Sequence, residues 1–206
     1  MHRGILSPNG LEARRQGVLR LVMLTNPLGD MYGIFHVELQ NYIDTQYGHE
    51  LWRATLKQTD LQHRLYMTVS TYLDSEVFAI VEAVSELTGA SKATLFEDFG
   101  VFIAPTLMKK HETLINPRWG LVEFLLNVEE AIHRVVRLKN PGAVPPRLKF
   151  EQVGPNELHF YYDSPRRMEA LARGILKGVA RHYGETIAIE EWKNPDGSVD
   201  MRITIR

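Results

Sequence analysis

The sequence predicts an α+β protein, a run of helices followed by an antiparallel sheet that one helix crosses, and three observations predict it. From Met31 to His133 the apolar residues recur at helical spacing between capping and breaking residues. From Arg147 onward the spacing changes to alternation, in four short runs. Between the second and third of these runs lies one further amphipathic stretch, Met168 to His182.

Residues 1–30 differ in character from the rest of the chain, because Pro8-Asn9-Gly10 and Asn26-Pro27-Leu28-Gly29 leave only Gly17 to Leu24 as a brief helix. We expect an extension here, flexible or the product of an over-long start, ahead of one domain over 31–206. Met31, Ile34, Phe35, Val37, Leu39 and Tyr42 predict a helix as far as Gly48, and Glu50-Leu51-Trp52 starts a second. Asp74-Ser75-Glu76 is expected to cap and charge a helix over Val77 to Leu87, which Thr88-Gly89 ends. Ser91-Lys92-Ala93-Thr94 opens another, expected to reach Phe102. Residues 104–118, with Pro105 and Pro117, read as a polar connection. Leu121 to His133 forms the next helix, broken at Asn140-Pro141-Gly142. Arg147 to Glu151 and Glu157 to Tyr162 alternate as strands joined through Gly154-Pro155-Asn156. Thr186 to Trp192 and Met201 to Ile205 read as a hairpin across Asn194-Pro195-Asp196-Gly197.

Composition removes several function classes. A net charge of −1 over 206 residues supplies no broad basic field, so nucleic acid is not expected as a partner. The absence of cysteine excludes disulfides, zinc ribbons, iron–sulfur clusters and thiolate-ligated or covalently attached haem. No apolar run approaches the roughly 20 residues of a membrane span, and Arg20 splits the apolar centre that a leader peptide would need. A soluble, cytoplasmic protein is expected.

Two patterns carry chemistry. On the helix Leu121 to His133, Val122, Leu126, His133 and Val136 fall on one face at about 100° per residue, which sets an imidazole among aliphatic side chains. A buried histidine needs a partner for each ring nitrogen, at a cost of roughly 1–3 kcal/mol for one left unmet. A metal on one nitrogen would meet half of that need, so His133 is a candidate iron ligand; an ordinary core or surface histidine is the other reading. Farther along, Tyr162, Ser164 and Arg166 stand at every second position near a strand end, where an extended backbone aims them to one side. Two hydroxyls and a guanidinium fork can receive carboxylates, or they can be ordinary polar residues of an edge strand.

Ile132-His133, the segment Pro141-Gly142-Ala143-Val144-Pro145-Pro146-Arg147-Leu148, the run Tyr162-Asp163-Ser164-Pro165-Arg166 and the later Gly174-Ile175-Leu176-Lys177-Gly178 together resemble the haem-nitric oxide/oxygen binding (H-NOX) family, the sensor domain also found in soluble guanylate cyclase. Met31-Tyr32-Gly33-Ile34 is similar to that family's start, so the resemblance spans 31–206. It implies haem b, held non-covalently between a helical distal lobe and a proximal lobe of antiparallel sheet and helices. It further implies His133 as proximal iron ligand, Tyr162, Ser164 and Arg166 as the propionate-binding triad, and Pro146 as the residue that distorts the porphyrin. Ungapped matching places Phe35, Ile103 and Leu171 in the distal pocket; all are apolar, whereas oxygen-binding members carry a tyrosine at the position of Leu171. The resemblance thus implies a nitric oxide sensor that excludes oxygen, with carbon monoxide as a second ligand, rather than an enzyme. The chain stops where the domain stops, so a separate histidine kinase or cyclic-di-nucleotide enzyme is expected to receive the signal.

Two rival readings remain. Glu130-Ala131-Ile132-His133 has the spacing of a di-iron carboxylate motif, with Asp60-Leu61-Gln62-His63 as the nearest second copy. A haem-free regulatory module of the same fold could bind a lipid or small acid through Arg166. The other histidines, His36 and His111 among them, are expected at the surface or at interfaces, and Trp52, Trp119 and Trp192 in packing. An Arg166→Ala protein is expected to lose haem affinity with its fold intact.

Overall fold

A computed structural model describes residues 30–139 and 145–206. The brief helix expected before residue 30 and the break expected at Asn140-Pro141-Gly142 lie outside the described residues.

The chain opens with a short strand rather than directly with a helix. Strand β1 (Asp30–Tyr32) pairs antiparallel with β2 (Thr71–Leu73), Met31 opposite Tyr72, and so ties the start of the domain to the segment before its third helix. Helices α1 (Gly33–Tyr47) and α2 (His49–Gln58) meet at Gly48, as the spacing predicts. Helix α3 (Asp74–Thr88) ends at Gly89, whose φ of 75° is left-handed and suits a residue without Cβ. Its acidic start does not cap it. Asp74 and Glu76 are both buried, Asp74 receiving Arg166 and Glu76 receiving the Tyr66 hydroxyl and Arg64.

Helix α4 (Lys92–Lys110) begins as expected, with Ser91 Oγ accepting the Thr94 amide at 3.1 Å, but it continues through Pro105 instead of stopping at Phe102. An internal proline costs a helix roughly 3 kcal/mol. Burial of Ile103, Ala104 and Met108 on either side of it works against that cost, each large apolar side chain contributing about 1.5–3 kcal/mol when fully covered. Of the expected connection only the part after Lys110 remains, with a 3₁₀ turn at Glu112–Leu114.

Helix α5 (Leu121–Val128) passes into a π turn (Glu129–His133) and then α6 (Arg134–Lys139). The extra residue in a π turn shifts the face that later residues present. That corrects the expected face: Leu126 is exposed, and Leu121, Phe124, Leu125 and Ile132 are the buried residues. Strands β3 (Arg147–Gly154) and β4 (Glu157–Asp163) form the first hairpin, α7 (Glu169–His182) crosses the sheet, and β5 (Ile187–Lys193) and β6 (Val199–Ile205) form the second. The order β3-β4-β6-β5 inserts the last strand at the centre, Phe160 pairing with Met201 and Ile189 with Ile203. Alternation places Leu158, Phe160, Val199, Met201 and Ile203 inward.

The apolar interior falls into two clusters. One is helical, built on Leu39, Ile43, Val77, Ile80, Leu95, Phe99 and Ile103. The other joins the sheet to α5 and α7 through Phe124, Leu125, Phe160, Leu176, Val179 and Met201. Helices α4 and α7 cross where Gly100 faces Gly174, and Glu97 of α4 accepts Arg173 Nε at 3.0 Å and Lys177 Nζ at 2.5 Å. Among the described residues no helix is long and apolar enough to cross a membrane.

Candidate functional site

Between the two clusters lies a cavity of about 560 Å³, in the range of cofactor pockets. Both lobes supply its walls: Met31 and Phe35 from the start of the domain, Leu107 and Met108 from α4, Leu125 and Ile132 from the helix that carries His133, Phe150 and Phe160 from the sheet, and Leu171 and Ile175 from α7. His133, Pro146, Tyr162, Ser164 and Arg166 all line this space, together with Pro145.

His133 sits at the end of the π turn, where the added residue turns it toward the cavity. Its Nδ1 is buried and lies 3.3 Å from Glu129 Oε2, close enough for ion pairing but off the line of a hydrogen bond. The same carboxylate accepts the Leu148 amide at 3.4 Å through Oε2 and pairs with Arg137 through Oε1. Burial alone would raise the Glu129 carboxyl, but His133 and Arg137 outweigh it and hold that carboxyl below the usual range. Sequence reasoning missed Glu129. The available signal was a carboxylate four residues before the candidate ligand, since metal-binding histidines commonly have a carboxylate partner in space.

Tyr162 is delivered by strand alternation on β4. Burial raises its hydroxyl pKa, and Ser164 alongside partly offsets that, so the group stays a neutral donor. The strand ends at Asp163, however, and Arg166 arrives through a turn instead of by continued alternation. That turn closes with the Arg167 amide donating to Ser164 O at 3.2 Å and puts Arg167 at a φ of 52°, a left-handed conformation uncommon outside glycine. Arg166 is itself held: its Nε donates to Asp74 Oδ2 at 2.8 Å and an Nη to Asp30 O at 3.2 Å. One guanidinium thereby links the sheet end to α3 and β1. Arg166→Ala is therefore expected to lower stability as well as haem affinity, because Asp74 is fully buried.

Two of the three expected distal residues, Phe35 and Leu171, reach the cavity. Ile103 does not. It is fully buried in the helical cluster, and Leu107, one turn later on the same face of α4, takes the wall position. His111, at the end of α4, lines the cavity as well, and His36 is fully buried against Tyr66 and Tyr72, which corrects the surface or interface placement expected for His36. Glu130 is 71 % exposed and bonds Arg134 at 3.0 Å, so it joins no di-iron site with His133. Among the described residues no three acidic, histidine or cysteine side chains cluster as a metal site.

Comparison with known proteins places the chain in a family. The model of the Haem-NO-binding family matches residues 32–191. The chain belongs to that family. The family is one of haem-based gas sensors, related to soluble guanylate cyclases. A mutant H-NOX protein of S. oneidensis in the Fe(II) ligation state superimposes at a TM-score of 0.79 with 23 % identity, covering 85 % of this chain and 96 % of that one. A mutant of the T. tengcongensis H-NOX protein gives 0.74 at 25 % identity, covering 85 % and 98 %. Among curated relatives, soluble guanylate cyclase 89Db of Drosophila melanogaster is 33 % identical over 156 residues, which is 74 % of this chain. Soluble guanylate cyclase 89Da of the same fly is 26 % identical over the same share. The chain spans 23 % of the length of either cyclase.

Proposed function

We propose that this chain holds haem b in the cavity between its lobes, with His133 as the axial ligand, and senses nitric oxide. The observation that carries this reading is the convergence of His133, Tyr162, Ser164 and Arg166, from separate segments of the chain, on one largely apolar cavity. The residues suit the group. An imidazole nitrogen can take one axial position, the neutral Tyr162 and Ser164 hydroxyls and the Arg166 guanidinium can receive the carboxylates at one edge, and Phe35, Leu107 and Leu171 can cover the faces. Pro145 and Pro146 bring rigid rings to the same wall.

A haem held by His133, Tyr162, Ser164 and Arg166 would supply an iron able to bind a diatomic gas. The chain's part is to present the ring, exclude water and choose the ligand. Stable oxygen binding calls for a distal hydrogen-bond donor, whereas nitric oxide needs none. Leu171 and Phe35 offer none, which supports nitric oxide, with carbon monoxide as a second ligand. Tyr32 and His111 line the same cavity and carry donors, and exposing the reduced protein to air decides whether either serves a bound oxygen. Because Arg166 joins the sheet to α3 and β1, a shift at that edge acts on both lobes. We further propose that a signalling enzyme reads this shift, a histidine kinase or cyclic-di-nucleotide enzyme in a cytoplasmic setting.

The test is the absorption spectrum of the purified chain reconstituted with haem, reduced, then exposed to nitric oxide and, separately, to air. A Soret band that moves with nitric oxide and shows no stable oxygen complex in air is expected. A colourless protein refutes haem binding, and a stable oxygen complex refutes the selectivity. His133→Gly is expected to hold haem only when free imidazole is supplied; full retention without it assigns the axial position to another residue.

A further inference from the structure

Glu129 opens the π turn that His133 closes, and its carboxylate is gathered by three elements at once: the turn itself, Arg137 of α6 and the Leu148 amide of β3. Its side chain is only 26 % exposed, and its Oε2 faces His133 Nδ1, the ring nitrogen away from any ligand taken at Nε2. Among the described residues no hydrogen-bond partner competes for that buried Nδ1. A carboxylate in this place favours, through its charge, the tautomer with the proton on Nδ1, leaves the Nε2 lone pair to the cavity, and by that same field makes Nε2 a stronger donor. The anchoring by Arg137 and Leu148 limits how far the carboxylate can drift from the ring.

We propose that Glu129 is the positioning residue of His133, setting the orientation and donor strength of the axial imidazole and therefore how readily a gas ligand weakens the bond to it. This rests on the reading of His133 as the axial ligand. The alternative is a purely structural carboxylate that serves Arg137 and β3 and leaves the ring alone.

The two are separated by resonance Raman spectroscopy of the reduced, haem-loaded full chain, which reads the iron–imidazole stretch directly, with the reduction potential measured in parallel. Glu129→Gln keeps the size and the hydrogen-bonding reach but removes the charge, Glu129→Leu removes both, and Glu129→Asp restores the charge one methylene farther back. The expected order of stretching frequency is native, then Asp, then Gln, then Leu, with the potential becoming more positive in the same order as the donor weakens. A stretch that all three variants leave at the native frequency refutes the proposal while the reading of His133 stands. A native protein with no iron–imidazole band refutes both. Should Glu129→Leu fail to fold, the nearly isosteric Gln variant alone decides: a downshift supports the proposal and an unmoved band overturns it.

Discussion

Replacing Gly174 by alanine should destabilise this protein even though alanine is the better helix former. A Cβ at position 174 would stand 1.9 Å from the Glu97 carbonyl oxygen and 2.8 Å from the Gly100 Cα. Ordinary contact begins near 3.4 Å, so the axes of α4 and α7 must separate by about 1.5 Å. What it meets is backbone, which cannot swing aside as a side chain can. Helix propensity favours alanine by about 1 kcal/mol, and overpacking of this kind costs about 1–3 kcal/mol or more. Separation also withdraws Leu107 and Met108 from Leu171 and Ile175 across the cavity, which adds lost burial. A net loss of about 1–2 kcal/mol is expected, or roughly 2–8 °C in the unfolding midpoint for a domain of this size. Thermal unfolding followed by far-ultraviolet circular dichroism measures it, and Gly100→Ala, whose Cβ would meet the Leu171 carbonyl at 2.5 Å, should behave alike. A Gly174→Ala protein as stable as the native one would refute the claim that this crossing is set by backbone contact.

Arg166→Ala is expected to lower both haem uptake and stability, the latter by about 3–5 kcal/mol, because it leaves the buried Asp74 carboxylate without its guanidinium. Adding Asp74→Asn should recover stability in urea titrations but not haem affinity, and a single variant as stable as native would show that the pair does not hold the lobes together. Burial lowers the His36 pKa, against the Leu73 carbonyl and the nearby Glu76 and Asp74, which raise it. The unfolded imidazole titrates near 6.5, so below that pH the unfolded chain takes a proton that native His36 resists. The stability this contributes is present above pH 6.5 and lost as pH falls through the lower native value; His36→Gln should flatten that slope in unfolding free energy between about pH 7 and 5, and an unchanged slope would assign it to other groups.

The fold class was legible because spacing is a local property. Helical recurrence up to His133 and alternation after Arg147 reflect which faces are covered, and Gly48, Gly89 and Ser91 marked boundaries through their own backbone and capping chemistry. Pro105 misled for the same reason: its local penalty is visible in sequence, whereas the burial of Ile103, Ala104 and Met108 that opposes it depends on α7 and the sheet, which lie far along the chain. Asp74 misled likewise, a helix-start carboxylate by pattern and the buried partner of Arg166 in space.

By itself, then, the sequence determined the order of helices and strands and offered His133, Tyr162, Ser164 and Arg166 as candidates by residue type, although Arg166 reaches the cavity through a turn and not by the alternation that singled it out. Tertiary structure alone decided that a π turn aims His133, that Leu107 rather than Ile103 walls the cavity, that Glu129 stands behind the ring, and that β6 enters between β4 and β5. Each of these depends on which distant surfaces exclude water together, and side-chain order along the chain does not encode that until the lobes close on one another.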